Sequence, residues 1–280
     1  MKKMVVTVLG CFLLLSSFVP VAQAITWGVP DGTAHPAVGI LYFETSSGDL
    51  YRGTGMLLSP TVFLTAGHCT TENGVPNVNS WVSFDPEIVF PEGLENDSDF
   101  KAYLDAHFIK GIAHPHPRYN DYNEFPNTYD VGVVILNEPV ILDQGQYGQL
   151  PALGFLEKFT LGRDRKNNIF TAVGYGLQGY VRPFYSEMRT RYQGDVTLIE
   201  LNSHLNGNQQ SAKFTNNPGK AKGTGGTCFG DSGGPVLYAG SNIVVAVVSW
   251  GNTPCIGVDY QFRMDTSIAQ QDFISYYLLP

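Results

Sequence analysis

The sequence predicts an all-β fold of antiparallel strands, closed as barrels or stacked as a sandwich. Three observations carry that expectation: about a dozen short apolar runs of strand length, turn residues between nearly all of them, and almost no helical periodicity before the carboxy-terminal end. Branched and aromatic residues dominate the runs, as they do on pleated, half-buried surfaces.

Taken in order, residues 1–24 begin with Lys2 and Lys3, continue through the apolar stretch Met4 to Val19 and end in Ala22-Gln23-Ala24. A basic start, a short apolar core and an A-x-A ending describe a secretory signal peptide, too short to span a membrane. A rival cleavage at Val8-Leu9-Gly10-Cys11 would leave a lipidated Cys11, but only about seven residues precede that motif. The mature chain is expected to start at Ile25. Runs then follow at Ala37–Phe43, Gly55–Leu58, Val62–Thr65, Trp81–Phe84, His107–Ile112 and Val131–Leu136. A second series comprises Phe170–Val173, Asp195–Leu201, Ala212–Phe214, Pro235–Tyr238, Ile243–Trp250 and Tyr260–Met264. The clearest helix closes the chain, with Asp265 as its cap and Ala269, Phe273, Tyr276 and Tyr277 on one packing face. The acidic stretch Glu92 to Asp105 lacks regular ligand spacing and reads as a solvated insertion, with a calcium loop as the minor alternative.

Composition narrows the function. Net charge is -8, nearer -10 once Lys2 and Lys3 leave with the signal, and no basic patch suggests nucleic acid. After the signal nothing resembles a membrane segment. Of four cysteines, Cys11 leaves with the signal, so Cys69, Cys228 and Cys255 imply one pair and one free thiol. No C-x-x-C spacing supports zinc, and His114-Pro115-His116 reads as a solvated turn, so no metal and no cofactor is expected.

One stretch explains itself only as a chemical site. Gly225-Gly226-Thr227-Cys228-Phe229-Gly230-Asp231-Ser232-Gly233-Gly234-Pro235 holds five glycines and a proline and must be a shaped loop. Its serine stands unshielded, and the amides of Gly230 and Ser232 are free to face one developing negative charge, as an acyl-transfer nucleophile requires. Two further stretches supply partners. Leu64-Thr65-Ala66-Gly67-His68-Cys69 puts a histidine on a tight turn at a strand end, and Tyr129-Asp130-Val131 opens an apolar strand with an aspartate that must find hydrogen bonds.

Together these supply base, carboxylate and nucleophile in the chain order His68, Asp130, Ser232. The set resembles the trypsin and chymotrypsin family of serine proteases. The resemblance rests on TAGHC, YDVGVVIL and GDSGGP. Lesser matches are His114-Pro115, Val173-Gly174-Tyr175-Gly176 and Val248-Ser249-Trp250-Gly251, so that it runs from about Ile25 to Asp272.

The resemblance implies two six-stranded antiparallel Greek-key barrels, residues 25–145 and 146–280 with the short helix. It also implies a secreted, monomeric endopeptidase acting on protein or peptide. Gly230 and Ser232 would form the oxyanion hole, while Gly226, Ser249, Trp250 and Gly251 would bind substrate. Cys228 and Cys255 match a family pair flanking the substrate pocket and would form the disulfide, while the strand before His68 reads Arg52-Gly53-Thr54-Gly55 and lacks the family's usual partner for Cys69, which would be a buried free thiol. Gly226 replaces a charged residue at the pocket base, so a neutral pocket favouring large apolar side chains is expected, with Asp259 as the one carboxylate that could reach in. Ile25 would pair through its freed ammonium with Asp231 and so activate the enzyme on signal cleavage. A catalytically inactive binding protein on the same fold is the alternative. An α/β-hydrolase esterase would want G-x-S-x-G directly after a strand and the order Ser, Asp, His, whereas here the serine lies in a glycine-rich loop and the order is His, Asp, Ser.

Overall fold

The computed structural model describes residues 25–94, 96–159, 168–181, 184–186, 189–207, 209–217 and 224–278. Residues 1–24, expected as a signal peptide, and with them Cys11 lie outside the described residues, as does Glu95 of the acidic stretch.

Six strands form the first barrel: Val38–Glu44 (β1), Leu50–Leu57 (β2), Val62–Thr65 (β3), Asn79–Ser83 (β4), Ile109–Pro115 (β5) and Gly132–Leu136 (β6). They close in the order β1-β2-β3-β6-β5-β4. The second barrel uses Ile169–Gly174 (β7), Tyr192–Glu200 (β8), Ser211–Asn216 (β9), Pro235–Tyr238 (β10), Val244–Gly251 (β11) and Gly257–Arg263 (β12). Its order, β7-β8-β9-β12-β11-β10, repeats the first barrel's, and every pairing is antiparallel. Closure removes the open edges that antiparallel sheets otherwise present. Each strand falls within a few residues of its sequence run, because a run that alternates into a barrel interior must be apolar there.

Both ends of the described chain cross over. Val29–Pro30 pairs with Tyr192 and Gln193 of β8, on the second barrel. The terminal helix packs against β5 of the first, where Phe273 meets His116 at 5.3 Å and Tyr277 meets His114 at 5.3 Å between ring centres. Buried Arg191 ties the parts together: its guanidinium donates to Asp31 Oδ2 at 2.8 Å, Val38 O at 3.0 Å, Gly32 O at 2.7 Å and Tyr175 Oη at 3.2 Å. A charge removed from water is tolerable only when its donors are satisfied in this way.

Four sequence expectations need correction or refinement. The acidic stretch, expected as a solvated insertion, keeps its described carboxylates exposed but is helical, since Asp97–His107 forms a helix (α1) capped by Asn96, whose side chain accepts from Asp99 N at 2.9 Å. Asp97 and Asp99 fall in its first turn, where carboxylates oppose the helix dipole. Leu104 is fully buried, and Phe100 packs edge-on against Tyr42 at 5.4 Å. At the far end Thr266, not Asp265, caps the terminal helix by accepting from Ala269 N at 3.2 Å. Asp265 instead accepts from Arg263 Nε at 2.8 Å and Leu156 N at 2.7 Å. The π-helical turn Gln270–Ile274 then widens the repeat, so Ile274 joins the buried face with Ala269 and Phe273 while Tyr276 turns out, 70% exposed. Finally, His116 is not solvated: it is 3% exposed, stacked on Tyr129 at 5.4 Å. Burial pushes its imidazole down to a pKa of about 4.

Candidate active site

His68 follows β3 on a single 3-10 turn, Gly67–Cys69, that fits tightly over Tyr119: a Cβ at Gly67 would lie 2.9 Å from that ring. Asp130 stands two residues before β6, fully buried, after Tyr129 with its left-handed φ of 46°. The turn and the strand end bring the two side chains together. His68 Nδ1 lies 2.9 Å from Asp130 Oδ2 and 3.1 Å from Oδ1, and the His68 amide donates to Oδ1 at 2.9 Å. A proton on Nδ1 facing the carboxylate leaves the Nε2 lone pair for a reacting group. Burial opposes charge on His68, but the adjacent Asp130 carboxylate outweighs it and holds the imidazole well above its ordinary pKa. Burial likewise pushes Asp130 up; the His68 charge and the donors around it win, and its pKa falls.

Two hydroxyls complete the carboxylate's shell. Ser249 Oγ donates to Asp130 Oδ2 at 2.5 Å, so the side chain of this residue, expected to carry substrate, is turned to the aspartate. Tyr122 Oη donates to the same oxygen at 2.7 Å. Sequence reasoning missed Tyr122, which belongs to no motif; only its lying eight positions before Asp130 hinted at proximity.

Ser232 arrives from the second barrel, and its loop is pinned to the first. Thr54 N donates to Ser232 O at 2.8 Å and Thr54 Oγ1 donates to Gly230 O at 2.8 Å, while Gly233 N donates to Val248 O of its own barrel at 2.8 Å. The Ser232 carbonyl sits 3.7 Å from Sγ of Cys69, the neighbour of His68, so the backbone of the serine loop lies against the turn that carries the histidine. Glycine is obligatory at two points: Gly230 has φ 95°, and a Cβ at Gly233, φ 83°, would fall 2.4 Å from Thr54 O. Cys69 is a buried free thiol, and Cys228 and Cys255 form the disulfide.

Asp231 is buried beneath the loop. Its carboxylate accepts from Gly176 N at 2.8 Å and Cys228 N at 2.9 Å, and a Cβ at Gly174 or Gly176 would strike it at 2.2 or 2.4 Å. Burial pushes its pKa up to about 7, beyond what the two amides and the more distant charge of Arg52 offset. Ile25 is fully buried too, beside Gly225, where a Cβ would lie 3.3 Å from the isoleucine side chain; Asp231's two carboxylate bonds nevertheless go to the amides of Gly176 and Cys228.

A cavity of about 240 Å³ opens beside Ser232, lined by Thr227, Trp250, Gly251, Asp259 and the Cys228–Cys255 disulfide. Trp250 stacks on Tyr260 at 4.0 Å. Gly226 is overlaid by the Asn216 carboxamide, whose Oδ1 would touch a Cβ there. The neutral floor expected from Gly226 is therefore modified, because Asp259, opposite Gly251 in the β11–β12 ladder, lines the cavity. Asn216 Nδ2 donates to both its oxygens at 2.7 Å and Thr227 Oγ1 donates as well. Burial pushes its pKa up to about 6. Among the described residues no cluster of His, Cys, Asp or Glu is arranged to hold a metal, and no helix is long and apolar enough to cross a membrane.

Comparison with known proteins agrees with this geometry. The family description "Trypsin" matches residues 30–270. Kallikrein 1-related peptidase b3 of Mus musculus is 27% identical over 214 residues, 73% of this chain and 72% of the mouse protein. Snake venom serine protease KN14 of Trimeresurus stejnegeri is 24% identical over 236 residues, 77% of this chain and 72% of its own. Among solved structures, HL collagenase superposes with TM-score 0.63 at 16% identity, covering 88% of this chain and 95% of that one. A scabies mite inactivated protease paralogue superposes with TM-score 0.61 at 15% identity, covering 91% of this chain and 100% of the paralogue. Likeness at this identity extends to active and inactivated proteins alike and concerns the fold.

Proposed function

The chain belongs to the trypsin family, and on that premise we propose that it is a secreted serine endopeptidase whose nucleophile, base and orienting carboxylate are Ser232, His68 and Asp130. The observation that carries this reading is the buried Asp130 bonded to His68 Nδ1 at 2.9 Å, with Ser232 presented beside them on a glycine-rich loop. His68 Nε2 takes the Ser232 hydroxyl proton as Oγ bonds to a peptide carbonyl carbon. The amides of Gly230 and Ser232 receive the oxyanion, a contribution of roughly 3 kcal/mol per donor in such sites. Collapse breaks the C–N bond, the Nε2 proton passes to the leaving amine, and water releases the acyl group by the reverse relay. Asp130 keeps the tautomer and stabilises the imidazolium.

The cavity beside Ser232 receives the side chain before the scissile bond. Asp259 gives it two states, an uncharged floor when protonated and an anionic one above its pKa of about 6. The Ser249–Gly251 segment carries substrate backbone as an added strand. Export follows from residues 1–24 as a signal, and a chain freed at Ile25 supplies an ammonium for Asp231, the buried carboxylate that accepts from the amides of Gly176 and Cys228.

The deciding experiment is covalent labelling with a serine-directed phosphonate. Wild-type protein labels at Ser232 and hydrolyses peptides, and Ser232→Ala loses both, with turnover down by several orders of magnitude. Labelling that persists in the variant refutes the assignment; wild-type protein that neither labels nor hydrolyses establishes instead the inactive binding protein.

A further inference from the structure

Tyr122 sits in the connection from β5 to β6, with its hydroxyl 2.7 Å from Asp130 Oδ2 and 3.2 Å from His68 Nδ1. Nδ1 points its proton at the carboxylate, 2.9 Å away, so the tyrosine hydroxyl donates to Asp130 and not to the imidazole. Asp130 Oδ2 thus receives three donors, from Tyr122, Ser249 and His68. We propose that Tyr122 is a positioning residue of the triad, whose hydroxyl fixes the Asp130 carboxylate, takes up part of its charge and thereby lowers the basicity of His68. The inference rests on the reading of His68, Asp130 and Ser232 as a triad.

The placement is built, not incidental. Asp121 and Tyr122 adopt consecutive left-handed conformations, φ 55° and 61°, which residues with a Cβ hold only where their surroundings enforce them. The Tyr122 ring packs edge-on against Tyr119 at 5.8 Å, and Tyr119 fills the space over Gly67 in the histidine turn. The loop that carries the hydroxyl and the turn that carries the base are therefore locked to each other through one ring. A carboxylate shared among more donors has less charge to offer the imidazolium, and hydrogen bonds to the charged form of an acid stabilise it. The groups that face His68 are Asp130, Cys69, Tyr122 and Ser249 through Asp130, with Tyr119 behind them and Asp121 beside Tyr119. Among these Tyr122 alone bridges aspartate and imidazole.

The test is an NMR titration of His68 in full-length mature protein carrying ¹⁵N-labelled histidine, assigned against His68→Gln. Three proteins are compared: wild type, Tyr122→Phe, and protein with 3-fluorotyrosine at position 122. Removing the hydroxyl moves the His68 titration to higher pH by roughly half a unit, whereas the more acidic fluorinated phenol, a stronger donor, moves it lower. In hydrolysis assays Tyr122→Phe loses roughly tenfold in kcat with KM within about twofold, and its acid limb follows the titration upward. The fluorinated protein keeps the bond, so the comparison survives if Tyr122→Phe folds poorly. Coincident titrations in wild type and either altered protein overturn the assignment, whatever the turnover. Wild-type protein that fails to label while the titrations still separate overturns the protease reading alone.

Discussion

Thr54, on a strand of the first barrel, donates its hydroxyl to the carbonyl of Gly230 in the Ser232 loop of the second, 2.8 Å away. The same oxygen accepts from Tyr175 N at 3.1 Å, so a single buried threonine bonds two segments of the second barrel. Thr54→Val keeps the shape and removes both partners. Because unsatisfied buried groups cost about 1–3 kcal/mol, the variant is expected to lose that much stability in urea. It should also label more slowly at Ser232, since Gly230 is no longer held. An unchanged labelling rate would mean that the loop needs no support from the first barrel.

Protein that begins at Ile25 with a free amine is expected to outperform the same protein acetylated there. Asp231, raised to about 7 by burial, is otherwise stabilised as an anion by the amides of Cys228 and Gly176 and by the charge of Arg52, which together do not offset its burial. A group whose folded pKa is raised contributes stability below its unfolded value and forfeits it as pH climbs through the folded one. The acetylated protein should therefore weaken between about pH 4 and 7, and the free-amine form should not, because the ammonium holds the carboxylate charged. Breaking a buried pair costs roughly 3–5 kcal/mol, so the gap is large enough to read by thermal denaturation at pH 8.

Substrate choice should depend on pH through Asp259. Below its pKa of about 6 the floor is neutral and aromatic or aliphatic side chains are preferred. Above it the ratio of kcat/KM for Lys or Arg over Phe or Leu rises, by about tenfold for each 1.4 kcal/mol of added attraction. Asp259→Asn removes the pH dependence of the ratio. A ratio flat from pH 5 to 8 in the wild type would show that the carboxylate is turned away from substrate.

Arg191→Met strips the guanidinium from Asp31 and leaves that carboxylate buried. Burial alone would raise the Asp31 pKa, but His35 and Arg191 hold it below the ordinary value. Loss of one member is expected to cost about 3–5 kcal/mol and to lower Tm without altering the relative rates for different substrates. The double change Arg191→Met, Asp31→Leu should recover much of the loss, which a calorimetric comparison of the two variants would reveal.

The strands and the close approach of the three candidate stretches were legible because both depend on local pattern: apolar runs long enough for a barrel wall, and small residues wherever backbone must come close. Gly174 and Gly176, for instance, are small because Asp231 lies against them. What escaped depends on chain geometry. The helix Asp97–His107 hid its apolar residues Phe100, Tyr103 and Leu104 among acids, although Asn96 three positions before Asp99 was a readable cap. Tyr122 reaches Asp130 only by way of two left-handed residues that no sequence pattern announces. Asp259 could be placed only as an alternative, since its entry into the cavity depends on the ladder irregularity between Val248 and Trp250 that sets it opposite Gly251.

The pairing of Val29 with Gln193 has a temporal consequence during synthesis. The earliest part of the mature chain to emerge cannot find its place until roughly 160 further residues have followed. At about 5–20 residues per second that is a wait on the order of ten to thirty seconds. The first barrel can close in that interval, but the segment from Ile25 to Pro30 stays unpaired, and the loop that will present Ser232 has yet to be made. Assembly of the surroundings of Ser232 is thereby deferred to the end of translation, behind a half-protein that already holds His68 and Asp130.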